Sequence, residues 1–435
     1  VYLFVMTIFP SFRDKLTLGS LYYWKSNRPN GDEHFSKALS HVERLTEKEK
    51  LYIEAKIERA RGNYHSAVTK YKTFLRKYPD SESGWFGLGY SYMRLKNHRE
   101  AIEAFHRSQE IFTHEDPNIY INIATCYHSM KNHSDALKYY IKAFEINPDL
   151  ETQGNLNHEF GFNYVNMGEY AKAREVFNKM LNKNNDDMKA MGLRSLAMLN
   201  MYLGSFNNAI EMLNESRLLY TTLGYYLSIY RNTLYLASVY KTLGLEEKYN
   251  EELKTAKTII NDNIISPFWL LYYGKIIVRE NRIEEAMNIL EVLSSRINEG
   301  NRIDESAFQI LNGEIELAKG NSDKAEKLFK TGVRMHTNPY HIESLANFYF
   351  QTGQLDLAIP EYKEIIHLKS LGWESQIYYN EAYFRLGKIY ELKKDSIRAV
   401  KYYEGFLEIW QESQDDIPEI QHIMSSLKKL KGKTS

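Results

Sequence analysis

The chain has 435 residues in which 56 Lys and Arg balance 56 Asp and Glu, so it carries no basic excess to neutralise nucleic-acid phosphates and no acidic excess to draw in basic partners. Aromatic residues are plentiful (34 Tyr, 20 Phe) and Pro is scarce (9), a composition suited to long helices packed through large amphipathic side chains and unsuited to a turn-rich β protein. The single cysteine, Cys126, excludes an internal disulfide.

The chain opens at Val1 with an apolar run to Phe9, too short to span a bilayer, which takes roughly 20 apolar residues. The run reads as the end of a membrane segment lying upstream, or as a buried helix or strand at the start of the fold. No basic n-region or small-residue cleavage site marks a signal peptide. Residues 33–45, with Asp32 ahead of them, read as a second-type helix lacking a complete partner, preceded by a turn at Asn30-Gly31.

From there on a period takes over. Trp85, Leu88, Gly89, Tyr92, Ala101 and Phe105 align at identical spacing with Tyr120, Ile123, Ala124, Tyr127, Ala136 and Tyr140. Upstream, Leu51, Ala55, Ala67, Tyr71 and Pro79 fit the same frame. Downstream it runs through Phe160, Gly161, Tyr164, Ala173 and Phe177; then Leu196, Ala197, Ala209 and Leu213; then Leu236, Ala237 and Tyr240. Four further copies centre on Gly274 and Ala286, Gly313 and Ala325, Ala346 and Ala358, and Gly387 and Ala399, making ten in all. Apolar residues at offsets of three, four and seven lie on one helical face, so each copy predicts two amphipathic helices. The recurring Gly or Ala lets the first helix approach the second closely. Turn signals such as Arg61-Gly62-Asn63, Met167-Gly168-Glu169 and Lys319-Gly320-Asn321 separate the two.

These residues resemble the tetratricopeptide repeat, with its Trp/Leu, Gly/Ala, Tyr, Ala, Phe/Tyr and terminal Pro signature, over roughly residues 48–410. The resemblance implies an all-α fold, a right-handed α-α superhelical solenoid of about ten helix-turn-helix repeats. Departures are Tyr249 at an expected small position, Asn312 and Glu316 at apolar ones, and Pro360 inside a predicted second helix. Repeat intervals stretch to about 40 in the second half, so longer helices are expected there. The division expected is an N-terminal segment with a degenerate repeat (1–47), the solenoid (48–413) and a C-terminal capping helix (414–435), whose stripe is Ile420, Ile423, Leu427 and Leu430. Since repeats contact mainly their neighbours, deleting an end repeat is expected to cost less than breaking a central small position.

Residue patterns for catalysis are not found. No phosphate-binding loop, zinc-type His-Glu-x-x-His or calcium loop occurs. Gly84, Gly87 and Gly89 follow no strand and read as packing positions. The pairs His98/His106 and His128/His133 lack the spacing that sets two imidazoles side by side on a helix, and Cys126 reads as a small packed side chain. No enzyme activity, cofactor or metal is expected.

In the family resembled, five positions of each first helix, at steps of three, four, three and one, line the concave face. The resemblance therefore implies partner binding at Phe86, Tyr90, Met93 and Arg94 in the second copy; Asn122 and Thr125 in the third; His158, Phe162 and Asn166 in the fourth; and Arg194, Met198 and Tyr202 in the fifth. Aromatic and Arg side chains anchor, Met adapts its shape and Asn pairs with peptide backbone. Tyr52, Lys56, Phe86 and Tyr90 stand where a carboxylate clamp for acidic chaperone tails would need Lys and Asn, which excludes that mode. The expected function is a protein-protein interaction scaffold holding a protein or peptide partner, with no nucleic acid. The alternative is a regulatory or sensor module of a larger signalling protein, since Leu45–Ala55 followed by Gly62-Asn63-Tyr64 is similar to the lead-in of tetratricopeptide regions fused to bacterial signalling enzymes and transcription regulators. A cytoplasmic location is expected, with membrane tethering open only through a region upstream of Val1.

Overall fold

A computed structural model of the chain describes residues 18–20, 28–39, 46–262, 265–297, 301–369, 371–372, 376–413 and 417–432. The apolar run at residues 1–9 lies outside them. The chain divides into two compact units, 1–151 and 152–435.

The first unit begins with α1 (Arg28–Leu39), which seats Phe35 against Ile53 and Ile57. Asn30 and Gly31 lie inside α1 and form no turn ahead of it, which corrects the sequence expectation: neither residue has a hydrophobic-run boundary to break, and the helix simply starts earlier, at Arg28. Three hairpins follow: α2 (Glu47–Arg61) with α3 (Tyr64–Lys77), α4 (Glu82–Arg94) with α5 (His98–Ile111), and α6 (Pro117–Ser129) with α7 (His133–Ile146). Thr46 starts α2 with a reciprocal capping box, its Oγ1 accepting from Glu49 N at 3.3 Å while Thr46 N donates to Glu49 Oε2 at 3.0 Å.

The second unit holds seven hairpins and a cap. The hairpins are α8 (Gly154–Asn166) with α9 (Tyr170–Leu181), α10 (Asp186–Leu203) with α11 (Phe206–Leu223), α12 (Tyr226–Thr242) with α13 (Glu246–Asp262), α14 (Pro267–Arg279) with α15 (Ile283–Ser295), α16 (Arg302–Ala318) with α17 (Ser322–Met335), α18 (Pro339–Gln351) with α19 (Leu355–His367), and α20 (Gln376–Leu392) with α21 (Ser396–Ile409). The cap, α22 (Pro418–Lys431), buries Ile420, Ile423, Leu427 and Leu430. The longer intervals are longer helices: α10 and α11 have 18 residues and α12, α13, α16 and α20 have 17.

Two local features recur in the hairpins. In several of them the small residue of the first helix lies under an aromatic ring of the second: a Cβ on Gly89 would stand 2.9 Å from the Phe105 ring, and one on Gly313 would stand 2.7 Å from the Phe329 ring, whereas one on Gly274 would meet Leu311 of α16. Each of the ten inter-helix turns also places one residue in the left-handed region, namely Gly62, Lys96, Lys131, Gly168, Gly204, Gly244, Asn281, Gly320, Gly353 and Lys394. The turn at Gly62 shows why: its N–H reaches back to Arg59 O and the next residue's to Glu58 O, satisfying carbonyls the helix end would otherwise leave open. The departures are absorbed locally. Tyr249 is buried with its hydroxyl donating to Glu280 Oε1 at 2.9 Å, Glu316 accepts from Asn321 Nδ2 at 2.7 Å, and Pro360 lies within α19.

Candidate functional site

In the first unit α2, α4 and α6 turn one face each toward a groove of about 860 Å3. Of the residues nominated by sequence, Phe86, Tyr90, Arg94 and Asn122 line it; Met93 and Thr125 lie on the same helices but are not among its lining residues, and Thr125 Oγ1 is engaged with Ile121 O at 3.0 Å. Two arginine–tyrosine pairs join the first hairpin to α4, one from α2 and one from the start of α3. The guanidinium of Arg59 lies 5.2 Å from the Tyr90 ring centre, and that of Arg94 lies 5.5 Å from the Tyr64 ring centre. Phe86 packs edge-on to the core ring of Phe105 at 5.6 Å and stays half-buried. Asn122 Nδ2 donates to Asn118 O at 2.7 Å, which leaves its carbonyl oxygen to accept. Glu82 and Asp116 supply acid elsewhere along the same groove.

Tyr52, Arg59 and Ala60 also line this groove. The same steps of three, four, three and one, taken through the first copy from Glu49, land on Tyr52, Lys56, Arg59 and Ala60, so the signal was present in the sequence. Tyr64 carries no such signal, because it opens the second helix of its hairpin.

The six residues nominated in the second unit do not face an open groove. His158, Phe162, Arg194, Met198 and Tyr202 are 0–3% exposed, and Asn166 is half-buried. What covers His158, Phe162, Asn166 and Tyr202 is the chain itself, 178 to 214 residues downstream. Asn166 takes both backbone groups of Leu371, its Oδ1 accepting from Leu371 N at 2.9 Å and its Nδ2 donating to Leu371 O at 3.1 Å. His158 bridges Ser195 Oγ, 2.7 Å from its Nδ1, and the carbonyl of Gly372, to which Nε2 donates. Further along the seam Asn380 Nδ2 donates to Tyr202 O at 2.9 Å, Glu412 N to Leu203 O at 3.1 Å, and Arg174 holds both carboxylate oxygens of Glu412. Trp410 meets the Phe206 ring at 5.0 Å. The tenth hairpin thus closes on the fourth and fifth. Arg194 is buried within its own hairpin, 5.1 Å from the Tyr220 ring centre.

Elsewhere in the second unit α14, α16 and α18 bury an ion cluster. Lys275 Nζ donates to Glu343 Oε2 at 2.7 Å and to Tyr340 O at 3.0 Å; Arg279 holds both oxygens of Glu343; Ser344 donates to Glu314. Burial by itself would raise the Glu343 carboxyl, but Arg279 and Lys275 outweigh it and hold the group down to about 2. Two cations face two carboxylates, so the cluster is neutral and bonded throughout, which suits a structural role better than proton transfer.

Reactive groups elsewhere are muted. Burial pushes the Cys126 thiol up to about 12, so it is not a thiolate nucleophile at neutral pH. Among the described residues no group of three or more His, Cys, Asp or Glu is placed to hold a metal ion, and no helix is long and apolar enough to cross a membrane.

Serial helical hairpins, several of them locked by a small residue under an aromatic ring, define an α-solenoid repeat protein. The chain carries tetratricopeptide repeats: family models described as tetratricopeptide repeat match residues 51–81, 80–149 and 381–409. It is 23% identical over 415 residues to the TPR repeat-containing protein MJ1428 of Methanocaldococcus jannaschii, a match that covers 86% of this chain and 66% of that protein. The apo form of RapI matches with a TM-score of 0.50 at 14% identity, covering 74% of this chain and 97% of that one. A human IFIT1 dimer with m7Gppp-AAAA matches with a TM-score of 0.46 at 13% identity, covering 92% and 90%.

Proposed function

We propose that the groove of the first unit holds an extended segment of a partner protein, and that the chain is a non-catalytic scaffold. The observation that carries this reading is the pair of arginines, each over a tyrosine ring, in the groove that Phe86 also lines. A guanidinium resting on an aromatic ring keeps its edge N–H groups free to grip a carboxylate, while Phe86 offers an apolar seat and Asn122 an acceptor for a backbone N–H. The favoured partner is therefore a peptide stretch with an acidic residue close to a large apolar one. The even charge balance argues against nucleic acid. A cytoplasmic setting belongs to this reading, since the lone thiol of Cys126 suits a reducing compartment. In the second unit the nominated residues His158, Phe162, Asn166 and Tyr202 serve closure in place of partner binding, while Arg194 and Met198 are buried in the core.

The test starts from partners captured by the intact chain and measures the binding of the segment identified to wild type and to a folded Phe86→Ala, Tyr90→Ala, Arg94→Glu variant. Loss of roughly 30-fold or more, on the order of 2 kcal/mol, supports the groove. Equal affinity sinks it.

A second reading, a regulatory or sensor module of a larger signalling protein such as a kinase, cyclase or transcription regulator, is favoured by the seam at Asn166 and Leu371. A closed unit fastened by a few polar bonds is the kind of element that has two arrangements.

A further inference from the structure

Beside that seam lies a cavity of about 220 Å3 that the scaffold reading does not use. Six helices and a loop residue wall it: Met201 of α10, Phe206 of α11, Val239 of α12, Asn380 and Phe384 of α20, Phe406 of α21, Trp410 just after it, and Glu419 of α22. Four aromatic side chains share the lining with Ser238, Thr242, Glu381 and Arg385, and Trp410 lies 5.0 Å from Phe206 and 4.5 Å from Phe406.

Three of the lining residues each carry a buried polar atom with no hydrogen-bond partner: Asn380 Oδ1, Glu419 Oε2 and Trp410 Nε1. Asn380 is 3% exposed, and its amide nitrogen is already committed to Tyr202 O, which fixes the oxygen as the free end. Two of the three atoms are acceptors, and one of those belongs to a carboxylate. The other acid in the lining, Glu381, is matched by Arg385 at 2.9 Å, whereas Glu419 has no ion-pair partner among the described residues. Leaving such groups unpaired costs on the order of 1–3 kcal/mol each, so the cavity is built for something that donates.

We propose that this cavity binds a small organic primary amine. Its ammonium group donates to Glu419 Oε2 and Asn380 Oδ1, its apolar body lies on Phe206, Phe384 and Phe406, and a hydroxyl or similar acceptor on that body takes the Trp410 Nε1 proton. Aromatic walls favour a cation over a neutral donor through their ring faces. Burial, with Glu381 adding to it, pushes the Glu419 carboxyl up against the pull of Arg385 and Lys388, so its charge is undercompensated and an arriving ammonium relieves it. A volume of about 220 Å3 holds one small molecule and excludes a peptide chain. Because the walls come from both sides of the seam, α10–α12 on one and α20–α22 on the other, the amine would fasten the closed form.

The experiment is calorimetry and thermal melting of the full chain with tyramine, against 4-ethylphenol (same body, no ammonium), 4-hydroxyphenylacetate (opposite charge) and Nα-acetyl-lysinamide (an ammonium as a protein would present it). Tyramine is expected to bind, to raise the melting temperature as a native-state ligand must, and to do so at least tenfold more tightly than the other three. Glu419→Gln keeps the shape and loses the charge; it is expected to lower tyramine affinity tenfold or more while its own melting temperature stays within a degree or two of wild type. No binding of tyramine, binding of 4-ethylphenol as tight, or an unchanged affinity in Glu419→Gln overturns the proposal. Preference for Nα-acetyl-lysinamide overturns it too, in favour of a protein lysine.

Discussion

Gly372 lies against the ring of Phe162 so closely that a Cβ at that position would stand 2.6 Å from Phe162 Cγ. Its φ of +111° is one that side chains rarely adopt, so both the space and the backbone demand glycine. Gly372→Ala is therefore expected to destabilise the second unit by about 1–3 kcal/mol, the range for overpacking and forced backbone strain. Denaturant melts measure this, and hydrogen exchange at residues 158–166 should speed up in the variant. A melt that superimposes on wild type would mean the seam is slack.

Lys275 supports a different prediction. Removing it as Lys275→Met leaves Glu343 with Arg279 but strips a cation from a buried, balanced cluster, a change expected to cost about 3–5 kcal/mol. Adding Glu343→Leu restores neutrality, since Arg279 then faces Glu314, and the double variant should recover a large part of the loss. If the double variant is worse than the single by the full cost of a second deletion, the residues are not coupled.

The pH dependence follows from His341. Burial, with His336 and Lys275 adding to it, pushes its imidazole down to about 3 from an ordinary 6.5. It is neutral in the fold and takes a proton when the chain unfolds, so its contribution is complete above pH 6.5 and fades as the pH falls toward 3, by at most about 1.4 kcal/mol per unit. Glu343 acts in the same sense lower down, between 4.5 and about 2. Urea unfolding at a series of pH values should show stability falling below pH 6.5, and His341→Gln should flatten the slope between 6.5 and 4.5. The same slope in the variant would remove His341 from the account.

Lys131 holds a left-handed turn, at φ 61°, that six other hairpins give to glycine. Lys131→Gly is expected to stabilise the first unit by about 0.5–1 kcal/mol, with Lys131→Ala giving no gain. A loss on glycine substitution would show that the Lys131 side chain contributes more than its backbone strain takes away.

How much of this was legible in the residues depends on how far apart the partners lie. The hairpins were readable because Gly89 and Phe105, or Gly313 and Phe329, sit sixteen positions apart in a frame that repeats ten times. The groove of the first unit was half readable: the steps that found Phe86, Tyr90 and Arg94 reach Arg59 as well, but Tyr64, on the second helix of its hairpin, obeys no such step. Closure of the second unit left no periodic mark at all. Asn166 meets Leu371 across 205 positions, and a single bidentate amide has no sequence signature. Lysines at Lys96, Lys131 and Lys394 concealed three turns for a simpler reason, since a left-handed residue other than glycine looks like any other polar position.

The seam also changes what kind of object the second unit is. An open stack is a string of beads, and a bead can be slipped off either end. The hairpins from α8 to α21 form a bracelet, in which Asn166, His158 and Arg174 are one half of the clasp and Leu371, Gly372 and Glu412 the other. A bracelet has no last bead. Cutting away α20–α22 would bare the face of α19 and unfasten α8 and α10 in the same stroke, so trimming from that side should be among the most damaging deletions, where a string would have made it the mildest.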